Sequence, residues 1–192
     1  MLMSRAKKYP GIFNDCIGPV MRGPSSSHTA AAHRIGTLAR YLMQGICGQK
    51  PADSPTDGSR SPETAAAQPV SSIIRRVIVR YDTQGSLATT HDLQGSDLGL
   101  LAGLLGVAME DDRVIDIFRI AAEAPLQFEI RIEPIGAEHP NTYDLTLFAE
   151  HDTERRVHLR AISTGGGMIL VESIEGFPVD IVGDAYEYLR LP

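Results

Sequence analysis

The chain has 192 residues, 18 Lys and Arg against 24 Asp and Glu, a formal net charge of −6 and 43% hydrophobic residues, which suits one globular domain with its own core. The acidic balance argues against a protein that binds nucleic acid by neutralising phosphates, and no apolar run resembles a membrane span or a signal peptide, so we expect a cytoplasmic protein. Two distant cysteines, Cys16 and Cys47, support neither a disulfide framework, a zinc ribbon nor an iron–sulfur cluster held by this chain alone.

The first predicted element is an amphipathic helix. Apolar residues recur at helical spacing from about residue 29 to residue 43, and Ser27 or a neighbouring serine is the expected N-cap. A segment rich in Pro, Ser and Gly then occupies residues 49–71. Such a composition buries little apolar surface, so we expect a flexible surface insertion there.

The remaining elements are predicted from caps and from a change of period. A strand around 77–81 precedes a helix with Ser96 as its N-cap, which carries apolar residues as far as Ala108. Asp111 or Asp112 caps a further helix, which Pro125 ends. The period then becomes two, which predicts strands at 126–133, 143–149, 156–162, 168–174 and 177–182.

Early helices and late consecutive strands predict the fold class. We expect a single α+β domain over residues 1–192, with helices packed on a largely antiparallel sheet. The second face of that sheet is expected to be polar or covered by a partner.

One segment stands apart as a place for chemistry. Ser25, Ser26, Ser27, His28 and Thr29 lie where the first helix presents unpaired backbone N–H groups and a positive dipole end, which suits a carboxylate or a phosphate. A serine-rich helix cap explains the same residues without any ligand, and both interpretations stay open on the pattern alone. Neighbouring residues of a helix do not face one another, so no direct serine–histidine nucleophile pair is expected.

Three shorter segments allow two interpretations each. His91 lies between two turn sequences, residues 139–142 (His-Pro-Asn-Thr) join two strands, and residues 163–167 (Ser-Thr-Gly-Gly-Gly) join another two. Each of them contains groups that could line a site. Ordinary turn chemistry explains each more simply, so the pattern favours turns.

Taken together, these segments resemble the β chain, or β domain, of iron–sulfur-dependent bacterial L-serine dehydratases. The segments that carry the resemblance are Ile17-Gly-Pro-Val-Met-Arg-Gly-Pro-Ser-Ser-Ser-His-Thr-Ala30 with Arg34-Ile35-Gly36, Tyr81-Asp-Thr-Gln-Gly-Ser-Leu-Ala-Thr89, His139-Pro-Asn-Thr142 and Ser163-Thr-Gly-Gly-Gly167. They occur in the family's order over nearly the whole chain. The family's Gly-His-Gly-Thr-Asp is only partly kept, because the chain has Leu93-Gln-Gly-Ser-Asp97 there.

The resemblance implies a function that this chain does not perform alone. It implies dehydration of L-serine to pyruvate and ammonia in serine catabolism and gluconeogenesis, within a homo- or hetero-oligomer. An α chain or α domain would hold a 4Fe-4S cluster as the Lewis acid, and this chain would hold no metal. The implied fold is that of the allosteric substrate-binding domain of phosphoglycerate dehydrogenases.

The resemblance also assigns roles to individual residues. His28 is the candidate catalytic base, and the candidate substrate-binding residues are Ser25, Ser26, Ser27, Thr29, His139 and Asn141. The alternative from another functional class is a non-catalytic module that senses serine or another small anion.

Overall fold

The described residues form one mixed sheet with helices against one of its faces. The computed structural model describes residues 20–48, 73–149 and 155–182. In chain order the elements are a π-turn Ser26–Ala30, α1 Ala31–Ile46, β1 Ile74–Tyr81, α2 Leu87–Thr90, α3 Ser96–Leu105, a 3₁₀ turn Asp112–Asp116, α4 Ile117–Glu123, β2 Gln127–Ile132, β3 Thr142–Ala149, β4 Arg156–Gly165, β5 Met168–Ile174 and β6 Phe177–Ile181.

The strand order is β2-β1-β3-β4-β5-β6. The pair β1–β2 is parallel because the helices α2, α3 and α4 carry the chain back between these two strands. The other four neighbouring pairs are antiparallel. The α+β class and the largely antiparallel sheet are therefore confirmed, whereas the likeness to the phosphoglycerate dehydrogenase domain stays a prediction.

The core lies between the sheet and the pair α1 and α3. Val77, Val79 and Tyr81 are fully buried in β1, and the alternate residues of β3 and β4 continue the same buried face. The helices α1 and α3 approach each other closely at Gly103, where a Cβ atom would lie 2.2 Å from the carbonyl oxygen of His33. Only glycine permits this contact. Gly99, near the start of α3, lies equally close to the backbone of Thr29 just before α1, so the two helices begin side by side.

Neither serine predicted as an N-cap forms a capping hydrogen bond with its side chain. Ser25 is the N-cap residue of the π-turn, as predicted for a neighbour of Ser27, but its hydroxyl makes no capping bond. Ser96 does not cap α3. Gly95, with a φ of 77°, holds the N-cap position in a left-handed conformation that glycine adopts without strain.

Helix ends and short turns account for the other differences. The helix α3 ends at Leu105 instead of reaching Ala108, because Gly106 adopts a φ of 73° and terminates it. The short helix α2 was not predicted. The predicted cap at Asp111 is confirmed, since its carboxylate accepts the backbone N–H of Arg113, and α4 ends before Pro125 as expected.

Two predictions fall outside the described residues. They are the insertion at 49–71 and the start of the first motif before residue 20. Within the described ranges, the helices are all too short or too polar to cross a membrane.

Candidate active site

Five separate segments meet at one end of the sheet. They are the π-turn, the start of α2, the turn before α3, the 139–142 loop between β2 and β3, and the end of β4. Because β1, β3 and β4 are antiparallel neighbours, the end of β1, the start of β3 and the end of β4 lie at the same edge. All five segments contain at least part of a motif that carries the family resemblance.

His28 lies in a small cluster of hydroxyl groups, which we call the His28 cluster (Ser25, Ser27 and His28). The Oγ atoms of Ser25 and Ser27 lie 3.2 Å apart, and each lies 3.2 Å from Nδ1 of His28. The expectation that neighbouring residues do not face one another was therefore wrong for Ser27 and His28. The reason is that these residues form a π-turn and not a regular α-helical turn.

The imidazole of His28 is shielded from solvent. Its residue is 7% exposed, and burial lowers the pKa of His28 below the ordinary histidine value. The imidazole is therefore neutral near pH 7, with one nitrogen able to accept a proton.

Thr90 determines which nitrogen carries the proton. Thr90 Oγ1 donates its single hydroxyl proton to the carbonyl oxygen of Ser86 at 2.9 Å, so towards His28 it acts as an acceptor. This oxygen lies 3.5 Å from Nε2 of His28. We therefore assign the proton to Nε2, which leaves Nδ1 as the accepting nitrogen inside the hydroxyl cluster.

Thr29 supports the π-turn. It is fully buried, and its hydroxyl donates to the carbonyl oxygen of Gln94 at 3.1 Å. The carbonyl oxygen of Thr29 packs against α3 at Gly99, where an added Cβ atom would lie only 2.0 Å away. The Thr29 side chain thus anchors the turn to the start of α3.

The 139–142 loop is tied to the same network. The ring nitrogen Nδ1 of His139 accepts the backbone N–H of Asn141 at 3.1 Å, and the carbonyl oxygen of Pro140 accepts the N–H of Ser86 at 2.8 Å. The side-chain oxygen of Asn141 is buried without a hydrogen-bond partner among the described residues. A buried acceptor of this kind is suited to a donor group of a ligand.

Ser163 joins this loop to the π-turn. Its backbone N–H donates to the carbonyl oxygen of Asn141 at 3.1 Å, and its hydroxyl donates to the carbonyl oxygen of Ser27 at 2.6 Å. From its sequence pattern, the 163–167 run was expected to be a turn. Ser163 and Thr90 are therefore site residues that sequence reasoning missed, although both lie in or directly after the segments that carry the family resemblance.

A second polar network lies beside the site and holds α3 on the sheet. The Tyr81 hydroxyl donates to Asp97 Oδ1 at 3.2 Å, and His91 Nδ1 lies 2.6 Å from Asp97 Oδ2. Burial raises the pKa of Asp97, although the bonds from His91 and Tyr81 oppose this. The turn around His91 is confirmed, but its imidazole also pairs with Asp97, which the turn interpretation did not include.

The described residues do not offer a site for a metal cluster. They contain no group of three or more His, Cys, Asp or Glu side chains arranged to hold a metal ion. Cys47 lies half-buried just after α1, and Cys16 is outside the described ranges. This donor set does not fit a 4Fe-4S cluster, which requires about four thiolates.

Comparison with known proteins indicates the family. No protein-family model matches the chain. It is 35% identical over 177 residues to a probable L-serine dehydratase beta chain of Bacillus subtilis (strain 168), which covers 92% of this chain and 66% of the relative. It is 26% identical over 171 residues to an L-serine dehydratase beta chain of Peptoniphilus asaccharolyticus, with 88% and 63% covered. The chain thus spans just under two thirds of the length of these relatives. On this similarity, the chain belongs to the family of L-serine dehydratase beta chains.

Proposed function

We propose that this chain is the β portion of an L-serine ammonia-lyase, which converts L-serine to pyruvate and ammonia. The names of its relatives support the reaction, since both are L-serine dehydratase beta chains. The observation that carries the proposal is the buried, neutral His28, whose Nδ1 faces two hydroxyls at the convergence of the family motifs. The proposal assigns the 4Fe-4S cluster to a partner α portion.

Dehydration of serine needs a base at the Cα atom. The base takes the Cα proton, the C–H electron pair becomes the Cα=Cβ double bond, and the Cβ–O bond breaks with loss of water. The resulting aminoacrylate tautomerises to an imine, and water hydrolyses it to pyruvate and ammonia. A neutral imidazole with a lowered pKa can accept that proton near neutral pH, so His28 Nδ1 is the base in this proposal.

Ser25 and Ser27 link binding of the substrate carboxylate to the availability of His28 Nδ1 as a base. In the free chain the hydroxyls of Ser25 and Ser27 lie within hydrogen-bond reach of Nδ1 and occupy it. A substrate carboxylate is a stronger acceptor than a neutral imidazole, so these hydroxyls would turn to it, together with that of Ser26. Binding of the carboxylate would then free Nδ1 to accept the Cα proton.

The substrate ammonium group has a candidate partner in the 139–142 loop. The buried side-chain oxygen of Asn141 has no partner among the described residues, and an ammonium group supplies a donor for it. His139 shapes this loop, because its ring accepts the N–H of Asn141. Thr29 contributes by anchoring the π-turn, since its hydroxyl is already donated to Gln94.

The deciding experiment replaces His28 in the assembled enzyme. The chain is combined anaerobically with its α portion, iron and sulfide, and pyruvate formation from L-serine is measured. His28→Ala should lower kcat by roughly 10²-fold or more, the scale of a lost general base, while the cluster absorbance stays unchanged. His158→Ala is the matched control, because His158 lies on the opposite face of the sheet and is 30% exposed.

Two results would count against this assignment. A near-normal kcat for His28→Ala would mean that the base lies elsewhere. A near-normal kcat combined with lost serine binding to the chain, measured by calorimetry, would favour the sensing module instead.

A further inference from the structure

The π-turn at the start of α1 has an unusual hydrogen-bond pattern. In an α-helix the N–H of Ala31 would donate to the carbonyl oxygen four residues earlier, that of Ser27. Here the N–H of Ala31 donates to the carbonyl oxygens of Ser26 and His28 and passes over Ser27. The Ser27 carbonyl oxygen instead accepts the hydroxyl of Ser163 at 2.6 Å.

Ser163 is well held for this contact. It is 1% exposed, lies near the end of β4, and its own N–H is bonded to the carbonyl oxygen of Asn141, the residue just before the neighbouring strand β3. With its backbone fixed by the sheet, its hydroxyl has one proton to donate, and the short distance to Ser27 shows where that proton goes. The bond joins two segments separated by 136 residues.

The diverted carbonyl changes where the side chains of the turn point. A π-turn contains one more residue than an α-turn. The side chains that precede the extra residue therefore point in directions rotated by roughly 100° about the helix axis, compared with their directions in a continuous α-helix. In a regular helix, residues one apart do not face each other. In this turn Ser27 Oγ lies 3.2 Å from His28 Nδ1, and Ser25 Oγ lies at the same distance.

We propose that Ser163 is a positioning residue for His28: by withdrawing the Ser27 carbonyl from the helix ladder, its hydroxyl maintains the π-turn that assembles the His28 cluster. The structural part of this proposal is based on the hydrogen bonds alone. Its effect on turnover rests on the proposed function, in which His28 is the base. Ser163 itself touches no substrate in this assignment.

Ser163→Ala removes the donor while keeping the strand. The Ser27 carbonyl can then accept the N–H of Ala31, and the π-turn relaxes towards a regular α-turn. In the reconstituted enzyme kcat should fall by roughly tenfold to a hundredfold, the scale of a misplaced catalytic group, with KM changed far less. Ser163→Thr keeps the hydroxyl and suits a strand, so it should recover most of kcat.

A spectroscopic measurement on the full chain reports the positioning without any turnover. Ring ¹⁵N shifts of labelled histidine, followed through a pH titration, give the tautomer and the pKa of His28. In Ser163→Ala the Nδ1 signal should move and the pKa should rise towards the ordinary value, whereas Ser163→Thr should match the parent chain. Thr164→Ala, at the exposed neighbouring position, should change neither signal.

A second variant distinguishes a positioning effect from a general loss of stability. Val157→Ala creates a cavity at a fully buried position at the far end of the same strand. If it lowers kcat and shifts the His28 signals as much as Ser163→Ala does, the positioning role is wrong. Should Ser163→Ala fail to fold, Ser163→Cys replaces it, because a thiol fills the site but is a weak donor.

The two proposals fail in different ways. Unchanged His28 signals and unchanged kcat in Ser163→Ala would overturn the positioning role, even if His28→Ala is inactive. A fully active His28→Ala would overturn the proposed base, while the ring shifts would still decide whether Ser163 controls the imidazole.

Discussion

Two buried polar clusters of this protein can be compared. The His28 cluster lies at the end of the sheet and contains an imidazole and two hydroxyls, all neutral. The second cluster, here the Asp144 cluster, lies on the sheet face away from the helices and consists of Asp144, Arg80, His158 and Arg160. Asp144 is 2% exposed and accepts from Arg80 at 2.6 Å, from Arg160 at 2.9 Å and from His158 at 3.0 Å.

Burial favours the neutral form of both Asp144 and His28, but only Asp144 has charged partners that outweigh this effect. Burial would raise the pKa of Asp144, but the hydrogen bond and charge of His158, with Arg160 and Arg80, outweigh it and lower this pKa to about 2. Burial lowers the pKa of His28, and no opposing charge restores it. A carboxylate with satisfied partners stabilises the fold, whereas a neutral imidazole among hydroxyls remains able to exchange a proton.

The largest expected effect is on the stability provided by the Asp144 cluster. Asp144→Ala should lower the free energy of unfolding by about 3 kcal/mol, because two guanidinium groups lose the buried acceptor that they share. Urea unfolding of the full chain measures this loss, and kcat of the folded, assembled enzyme should remain near normal. The control is Glu129→Ala, which breaks a 38% exposed pair with Arg76 and should cost much less stability, because water screens an exposed ion pair. Equal losses in the two variants would remove the distinction between these pairs.

The second effect is the pH dependence of that stability. The folded pKa of Asp144, about 2, lies below its ordinary value of 3.8, so its contribution is complete above about pH 5 and is lost as the pH falls through about 2. The shift corresponds to about 2 kcal/mol of unfolding free energy lost between pH 5 and pH 2. Asp144→Asn should flatten this part of the curve, and an unchanged acid slope in that variant would contradict the assignment.

The third effect concerns the rate and belongs to the His28 cluster. In the proposed mechanism His28 must be neutral, and burial lowers its pKa, so the acid limb of kcat/KM should be centred below the ordinary histidine value of 6.5, with a slope of up to tenfold per pH unit. The measurement is a pH profile of the reconstituted enzyme. Asp144→Asn should leave this acid limb in place, whereas His28→Ala should remove it from the residual activity. A limb centred above pH 6.5 would conflict with the buried imidazole.

The smallest effect is expected from the contact that selects the tautomer. Thr90→Val removes the acceptor of the Nε2–H of His28 while keeping the shape of the side chain. The contact is 3.5 Å long and therefore weak, so kcat should fall by roughly threefold to tenfold, about 1 kcal/mol. Thr90→Ser restores the oxygen and should recover the rate, which kinetics at saturating serine would show. Equal rates for the Val and Ser variants would mean that another group holds the proton on Nε2.

The predictable part of the fold came from local patterns. The alternation of apolar residues located the strands β3, β4 and β5 to within about three residues at each end, because one buried face imposes a period of two. Helical spacing likewise located α1. Caps were less predictable, since Ser25 and Ser96 have the residue type of a cap but use their hydroxyls in other contacts.

The candidate site was predictable as a set of motifs and not as an arrangement. The run from Ser25 to Thr29 was selected because hydroxyls and an imidazole stand at a helix start, and the structure brings this run to the 139–142 loop and the end of β4. The roles of Thr90 and Ser163 could not be predicted, because each depends on a contact with a residue at least 62 positions away.

The sequence by itself determined the strands and the longer helices, the family resemblance and the residue types available for chemistry, because these depend on neighbours along the chain. Only the tertiary structure decided which polar groups meet. Sheet register places Arg80 and Arg160 opposite Asp144 from two different strands, and the bond from Ser163 turns the Ser27 carbonyl out of the helix. Both arrangements arise from strand pairing across large sequence separations, which no local pattern encodes.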